Sequence, residues 1–119
     1  MKENLEKRTY GYEATWAKTD NYVSKILVFD NMGTGLPIHF HKTIEKTWFI
    51  NSGNFRIKWI DTSNGILYEK DIKEGSVFHV PPCMPVGLEC LLDGGSITQV
   101  SNKDIAEDYF QIATTKVES

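Results

Sequence analysis

The sequence predicts an all-β fold, a single-domain antiparallel sandwich or barrel, on three observations. The chain has 119 residues, which is enough for one domain with a buried core but not for two. From residue 10 onward it consists of about nine short apolar or alternating segments, separated by turn residues. No stretch carries the 3.6-residue apolar stripe of an amphipathic helix. Short strands at this spacing are typical of a sandwich or barrel.

The predicted strands are bounded by clusters of Gly, Pro, Asn, Asp and Ser. Residues 1–9 are polar and charged and are expected to form an N-terminal arm, followed by the barrel over 10–113 and a C-terminal tail over 114–119. Residues 30–37 contain two glycines and predict a loop, while Asn64-Gly65 is the strongest hairpin signal. Strands are predicted at 10–18, 22–29, 44–50, 55–60, 66–72, 76–80, 86–92, 96–101 and 109–112.

Two of these strands alternate cleanly, so each presents two distinct faces. In 55–60 the apolar face consists of Phe55, Ile57 and Trp59. In 44–50, if Glu45 faces the interior, the period of two turns Thr47 and Phe49 inward with it. The opposite face then carries Lys46, Trp48 and Ile50.

Composition excludes several classes of function. Hydrophobic residues make up 40% and charged residues 24%, the balance of a soluble globular protein. The formal net charge is −3 and the basic residues are scattered, so we expect no nucleic-acid partner. No apolar run is long enough for a signal peptide or a membrane span, so we expect no membrane association and a cytoplasmic setting. Cys83 and Cys90 are then expected to be reduced and mostly buried.

His39 and His41 are two residues apart, so on an extended segment both imidazoles leave the same face. Glu45 follows four residues later, after a potential turn. Two imidazoles and a carboxylate are ligands that zinc, manganese, iron or nickel can share, with coordination positions left for substrate. The alternative is an exposed His-x-His on an ordinary strand, with Glu45 as a surface charge.

The residues around this pair resemble the first motif of the cupin family. That motif has a glycine, five residues, His-x-His, three or four residues, a glutamate, six residues and a glycine. Gly33, His39, His41, Glu45 and Gly53 follow it, except that seven residues rather than six separate Glu45 from Gly53. The resemblance implies a jelly-roll barrel with His39, His41 and Glu45 as ligands of a divalent metal.

The second cupin motif is only partly retained. Gly75 and Pro81 have its spacing, but Cys83 stands in place of a glycine, Val86 in place of the fourth metal ligand, a histidine, and Cys90 in place of an asparagine. The candidates to replace that ligand are Gln99, which is our choice, together with Cys83, Cys90 and His79. We expect His79 to point away from the interior, because it alternates with apolar neighbours.

Aromatic and apolar residues of the strands are expected to line the ligand cavity: Phe49, Trp59, Phe78, Val86 and Leu88. The resemblance implies a small cytoplasmic cupin that binds a small polar ligand, and a sugar or sugar-phosphate isomerase or epimerase is the leading hypothesis, ahead of a dioxygenase. Glu45 would be the catalytic residue, and without a metal it could serve as a general base. The alternative is a non-enzymatic binding or sensor module with a degenerate metal site. We expect a homodimer, because a short jelly roll exposes sheet edges.

Overall fold

A computed structural model describes residues 4–113, which form eleven strands in two sheets. Alternating apolar segments become strands because one face of each can be buried while the other stays in water. All strand pairs are antiparallel. The strands are β1 (Leu5–Arg8), β2 (Gly11–Lys18), β3 (Val23–Phe29), β4 (Gly35–Phe40), β5 (Lys46–Ser52), β6 (Asn54–Asp61), β7 (Ile66–Lys73), β8 (Val77–Val80), β9 (Val86–Cys90), β10 (Gly95–Ser101) and β11 (Phe110–Ala113).

The six-stranded sheet has the order β1-β2-β3-β10-β5-β8, and the five-stranded sheet has the order β11-β4-β9-β6-β7. Strands distant in the chain are therefore neighbours, as in a jelly roll. The predicted all-β antiparallel fold is confirmed. Within residues 4–113, no helix is long and apolar enough to cross a membrane.

The core lies between the two sheets and is rich in aromatic side chains. Phe29 and Phe55 pack edge to face with their ring centroids 5.1 Å apart, and Tyr10 stacks on Phe29 at 4.5 Å. The face predicted for 55–60 is confirmed, since Phe55 and Ile57 are fully buried and Trp59 packs against the same cluster. Burying such side chains contributes about 1.5–3 kcal/mol each, which makes this cluster the main source of stability.

Two boundary predictions are wrong. Leu5–Arg8 forms β1 and pairs with β2, although we expected an arm at 1–9, because the edge of β2 offers unpaired backbone groups to the polar segment. Gly35–Phe40 forms β4, which begins inside the predicted loop. Its ladder with β9 shifts register between Leu36 and His39, around Pro37, which has no N–H to donate. The predicted tail at 114–119 lies outside the described residues.

The turn at 81–85 is tied to the end of β4. Cys83 has φ of 71°, the left-handed region that favours glycine, and it stands where the cupin motif has glycine. Its N–H donates to the carbonyl oxygen of His41 at 2.6 Å. Both cysteines have free thiols, but Cys83 is exposed while Cys90 is buried. The expectation that both are buried is therefore wrong for Cys83, which lies at the tip of this turn.

Candidate functional site

Two histidines at the end of β4 direct their Nε2 atoms to the same place in the barrel. His39 is 3% exposed, and its Nδ1 donates to the carbonyl oxygen of Pro37 at 2.7 Å. His41, half-buried just beyond the strand, donates from Nδ1 to the carbonyl oxygen of Asp108 at 2.5 Å. A proton on each Nδ1 leaves each Nε2 as an acceptor. The rings meet edge to face with their centroids 5.2 Å apart.

The side chain that meets these acceptors is Lys46. Its Nζ lies 2.8 Å from Nε2 of His39 and 3.2 Å from Nε2 of His41. Lys46 is the first residue of β5 and is only 4% exposed. Its Nζ also lies 5.0 Å from the ring centroid of Trp48, the next inward residue on the strand. An amine between two neutral imidazoles is thus the polar centre of the barrel.

Burial shifts the pKa of all three groups. It lowers the pKa of Lys46 to about 7, with a smaller effect from the charge of Lys25. Burial, then the neighbouring charge of Lys46, lowers the pKa of His39 to about 3. The same two causes lower the pKa of His41. At neutral pH both imidazoles are therefore uncharged, and Lys46 exchanges readily between ammonium and amine.

Asp108, on the segment between β10 and β11, braces the histidine turn. Its carboxylate accepts hydrogen bonds from the backbone N–H of Lys42 at 2.6 Å and of Thr43 at 2.9 Å, and from the Thr43 hydroxyl at 2.7 Å. Burial opposes the charge, but these donors outweigh it and lower the pKa of Asp108 to about 2. The next residue, Tyr109, stacks on His39 at 5.1 Å. No local sequence pattern predicts this brace, because it joins residues about sixty-five positions apart.

Glu45 does not join this group, so its predicted inward orientation is wrong. Its side chain is exposed on the outer face, where Oε2 lies 3.2 Å from Nε2 of His79. His79 also contacts the hydroxyl of Thr47 through Nδ1 at 3.0 Å, which agrees with its expected outward direction. Phe49 shares the outer face and is 44% exposed. The strand buries Trp48 and Ile50 instead, and the period of two then brings Lys46 inside.

The sequence did contain a signal for Lys46. Glu45 misses the cupin spacing because seven residues separate it from Gly53, whereas six separate Lys46 from Gly53. Four residues separate His41 from Lys46, which the motif also permits. Lys46 therefore occupies the position of the motif's glutamate, and the spacing mismatch at Glu45 was the evidence for it.

The proposed replacement ligand, Gln99, lines the same cavity but is engaged elsewhere. Its Oε1 accepts a hydrogen bond from Nε1 of Trp48 at 2.8 Å. Val86 lies directly opposite His39 in the β4–β9 ladder and is fully buried. Side chains opposite each other on antiparallel strands share a face, so Val86 presents a methyl surface beside His39.

A cavity of about 990 Å³ opens over Lys46 and the two histidines. One wall is charged: Glu13 pairs with Arg8 at 2.7 Å and with Lys25 at 3.3 Å, and Lys25 also pairs with Asp104 at 3.0 Å. The apolar wall consists of Leu27, Leu36, Ile44, Ile105 and Tyr109. None of the five residues predicted to line the cavity does so. Phe49 is outside, Val86 and Leu88 are core, and Trp59 and Phe78 pack on each other at 5.1 Å.

No family model matches the chain, and no curated protein matches its sequence. Solved structures match its fold. Oxalate decarboxylase from Bacillus subtilis has a TM-score of 0.80 at 18% identity, with 91% of this chain and 29% of that chain covered. CapF, a capsular polysaccharide assembling protein from Staphylococcus aureus, has a TM-score of 0.80 at 17% identity, with 91% and 32% covered. The chain spans roughly 30% of the length of each. Both are cupin-fold proteins.

The chain has the cupin fold. Within this fold, the donor set of the chain does not fit the metal that the family motif implies. Of the motif's four ligands only the two histidines face the site, because Lys46 and Val86 replace the others and Glu45 points outward. A cation there would meet the Lys46 ammonium at close range. Within residues 4–113, no group of three or more His, Cys, Asp and Glu side chains could hold a metal ion.

Proposed function

We propose that this cupin binds a small polar molecule in its barrel cavity, and that a carbonyl or carboxylate oxygen of the ligand is directed at Lys46. The position of the Lys46 amine between two imidazole acceptors carries the proposal. Lys46 stands where the family motif has a metal ligand. Its ammonium would therefore attract the ligand oxygen in place of a metal ion.

The hydrogen-bonding capacity of Lys46 supports a ligand oxygen directed at its Nζ. An ammonium has three donors, and the two Nε2 atoms accept two of them. Among the described residues no carboxylate pairs with Lys46, although a buried charge is costly without a partner. A ligand oxygen that accepts the third proton would supply that partner through a charge-assisted hydrogen bond.

The remaining walls suit a compact ligand that is partly apolar. A cavity of about 990 Å³, with a few convergent polar groups and an apolar wall, has the size and composition of small-molecule sites. Tyr109, held against His39, offers a flat face to a sugar ring or a planar acid.

A second candidate function is catalysis, namely isomerisation or epimerisation of a sugar or sugar phosphate. The observation that favours it is the pKa of Lys46, which burial lowers to about 7. A general base works best when its pKa lies near the working pH, and the neighbouring Nε2 atoms could pass on the proton. In this reading Lys46, rather than Glu45, is the catalytic residue.

The cellular location and the oligomeric state belong to the same proposal. We propose a cytoplasmic protein, supported by two free thiols. We also propose a homodimer formed through the outer face of the six-stranded sheet, on which Phe49, Val77 and Val100 are exposed. The protein carries both acidic and basic residues, with a formal net charge of −3, which supports a small molecule rather than nucleic acid as the ligand.

Thermal unfolding with a ligand panel tests the proposal. Small carboxylates, sugar acids and neutral sugars are compared on the parent, on Lys46→Met and on Lys18→Met, all in the presence of a chelator. Lys18 is exposed at the end of β2 and is not part of the cavity, so it controls for loss of a charge. We expect at least one ligand class to stabilise the parent and Lys18→Met, by about 2.7 kcal/mol at a hundredfold excess over Kd, but not Lys46→Met. An equal response of all three proteins would refute binding at Lys46.

Turnover is tested separately. The isomerase candidate predicts exchange of a carbon-bound proton of the ligand with solvent deuterium by the parent and not by Lys46→Met. Binding without exchange would leave the binding function standing and exclude the catalytic one.

A further inference from the structure

We infer that Lys46 also captures the ligand covalently, as a reversible imine formed with the carbonyl carbon of an aldehyde or a 2-oxo acid. The inference rests on the proposed function, since it concerns the same amine and cavity, and it names the reactive group that the ligand carries. Nothing in the sequence motif requires it, because the motif has glutamate at this position.

The geometry supplies a nucleophile, proton acceptors and space for the carbonyl compound. Lys46 lines the cavity from the first position of β5, so its Nζ is reached from the cavity. Two Nε2 acceptors lie 2.8 Å and 3.2 Å away, each fixed by a backbone hydrogen bond on the other ring nitrogen. A nucleophilic lysine paired with an oriented base is the arrangement that covalent catalysis uses.

The reaction balances with these groups alone. The nitrogen lone pair of the neutral amine forms a bond to the carbonyl carbon, and the C=O π electrons move to oxygen. Nε2 of His39 takes one proton from the nitrogen and passes it to the alkoxide oxygen, which gives the carbinolamine. Nε2 of His41 then takes the second proton from the nitrogen and passes it to the carbinolamine hydroxyl, which leaves as water while the nitrogen lone pair forms the C=N bond. The product is a C=N bond to Nζ, and hydrolysis reverses each step, so no oxidant or reductant is needed.

The other lysines near the cavity are poorer nucleophiles by their contacts. Lys25 is held in ion pairs with Glu13 and Asp104, which keep it an ammonium. Lys7 is exposed on the edge strand, in water. Among the described residues, Lys46 is the lysine with imidazole nitrogens rather than carboxylates as its partners. A carbonyl probe should therefore distinguish it from the rest.

The test is reductive trapping with glyoxylate and cyanoborohydride at pH 7, followed by intact mass and peptide mapping. Lys46→Arg keeps the positive charge but lacks a nucleophilic amine, and Lys18→Arg is the matched surface control. We expect one reduced adduct per chain, mapped to Lys46 and formed about tenfold faster than adducts at exposed lysines. Lys18→Arg should behave like the parent, and Lys46→Arg should lose the rapid adduct.

If Lys46→Arg does not fold, peptide mapping of the parent alone tests whether the imine forms at Lys46. Modification spread evenly over exposed lysines, with Lys46 unmodified, would overturn the inference. Glycolate, which has the carboxylate but no carbonyl, separates this failure from failure of the proposed function. If glycolate stabilises the parent while Lys46 stays unmodified by glyoxylate, binding stands and imine formation is refuted.

Discussion

Replacing Lys46 with methionine should remove a pH dependence of stability that few other groups in the protein can produce. Burial lowers the pKa of Lys46 from 10.5 to about 7. Between those values the unfolded chain holds a proton that the folded chain has released, so the free energy of unfolding rises with pH. Above that window the penalty from burying the ammonium is gone, and below it the penalty is fully present.

The size of the effect follows from that shift. Each pH unit inside the window contributes about 1.4 kcal/mol, reduced near pH 7 where the folded group is still partly charged. The parent should therefore gain about 2 kcal/mol from this group between pH 7 and pH 9. Methionine has a similar length and no charge, so the variant gains nothing. It also leaves two Nε2 acceptors without a donor, a cost of about 1 kcal/mol each that does not depend on pH in this range.

Urea unfolding followed by tryptophan fluorescence measures this, because Trp48 is buried beside the site. The free energy of unfolding is determined at pH 7, 8 and 9 for the parent, Lys46→Met and Lys18→Met. The stability of Lys46→Met relative to the parent should fall by about 2 kcal/mol across the series. Lys18→Met, which removes an exposed charge, should run parallel to the parent.

Parallel curves for the parent and Lys46→Met would refute the reasoning. That result would mean that Lys46 has the same proton occupancy folded and unfolded, and the buried amine between two imidazoles would lose its support. Other groups that titrate in this range are present in both proteins, so they cancel in the comparison.

Four further outcomes are expected. Lys46→Glu places a carboxylate beside the two histidines, and zinc affinity by calorimetry should rise at least about a hundredfold; an unchanged affinity contradicts the geometry. Glu45→Gln, in an exposed ion pair, should alter urea stability by less than about 1 kcal/mol and leave ligand binding intact, and lost binding would count against its outward position. Asp108→Ala should lower the free energy of unfolding in the same urea assay, because several hydrogen bonds to the histidine turn are lost, and no loss would exclude the brace. Thiol labelling of the folded protein should be rapid at Cys83 and slow at Cys90, and the reverse order would contradict their exposure.

Local patterns in the sequence were sufficient for the fold class. Alternation and turn residues are properties of a few neighbouring positions, so they predicted most strands and the buried face of β6. They missed β1, because its residues are exposed and mostly polar and it forms a strand only by pairing with β2. They also missed the start of β4, where glycine and proline indicated a loop.

The site could be predicted only in part for the same kind of reason. A spacing of two predicted that His39 and His41 lie close together, and their rings do. Alternation in β5 defined two faces but did not say which one meets the core. That choice depends on the ladders with β10 and β8, which bury Trp48 and Ile50 and bring Lys46 in with them.

The sequence by itself determined an antiparallel β barrel and a pair of histidines on one segment, because both follow from short-range spacing. The spacing to Gly53 indicated Lys46 at the position of the motif's glutamate, but only the tertiary structure decided that its amine stands between the two imidazoles. It also decided that Asp108, far along the chain, fixes the tautomer of His41 through its carbonyl oxygen. Burying a lysine is unfavourable locally, and it is compensated by the burial of Trp48 and Ile50 on the same face and by the histidine acceptors. These contacts join residues that are distant in the sequence, so no local pattern predicts their combined stabilisation of the buried lysine.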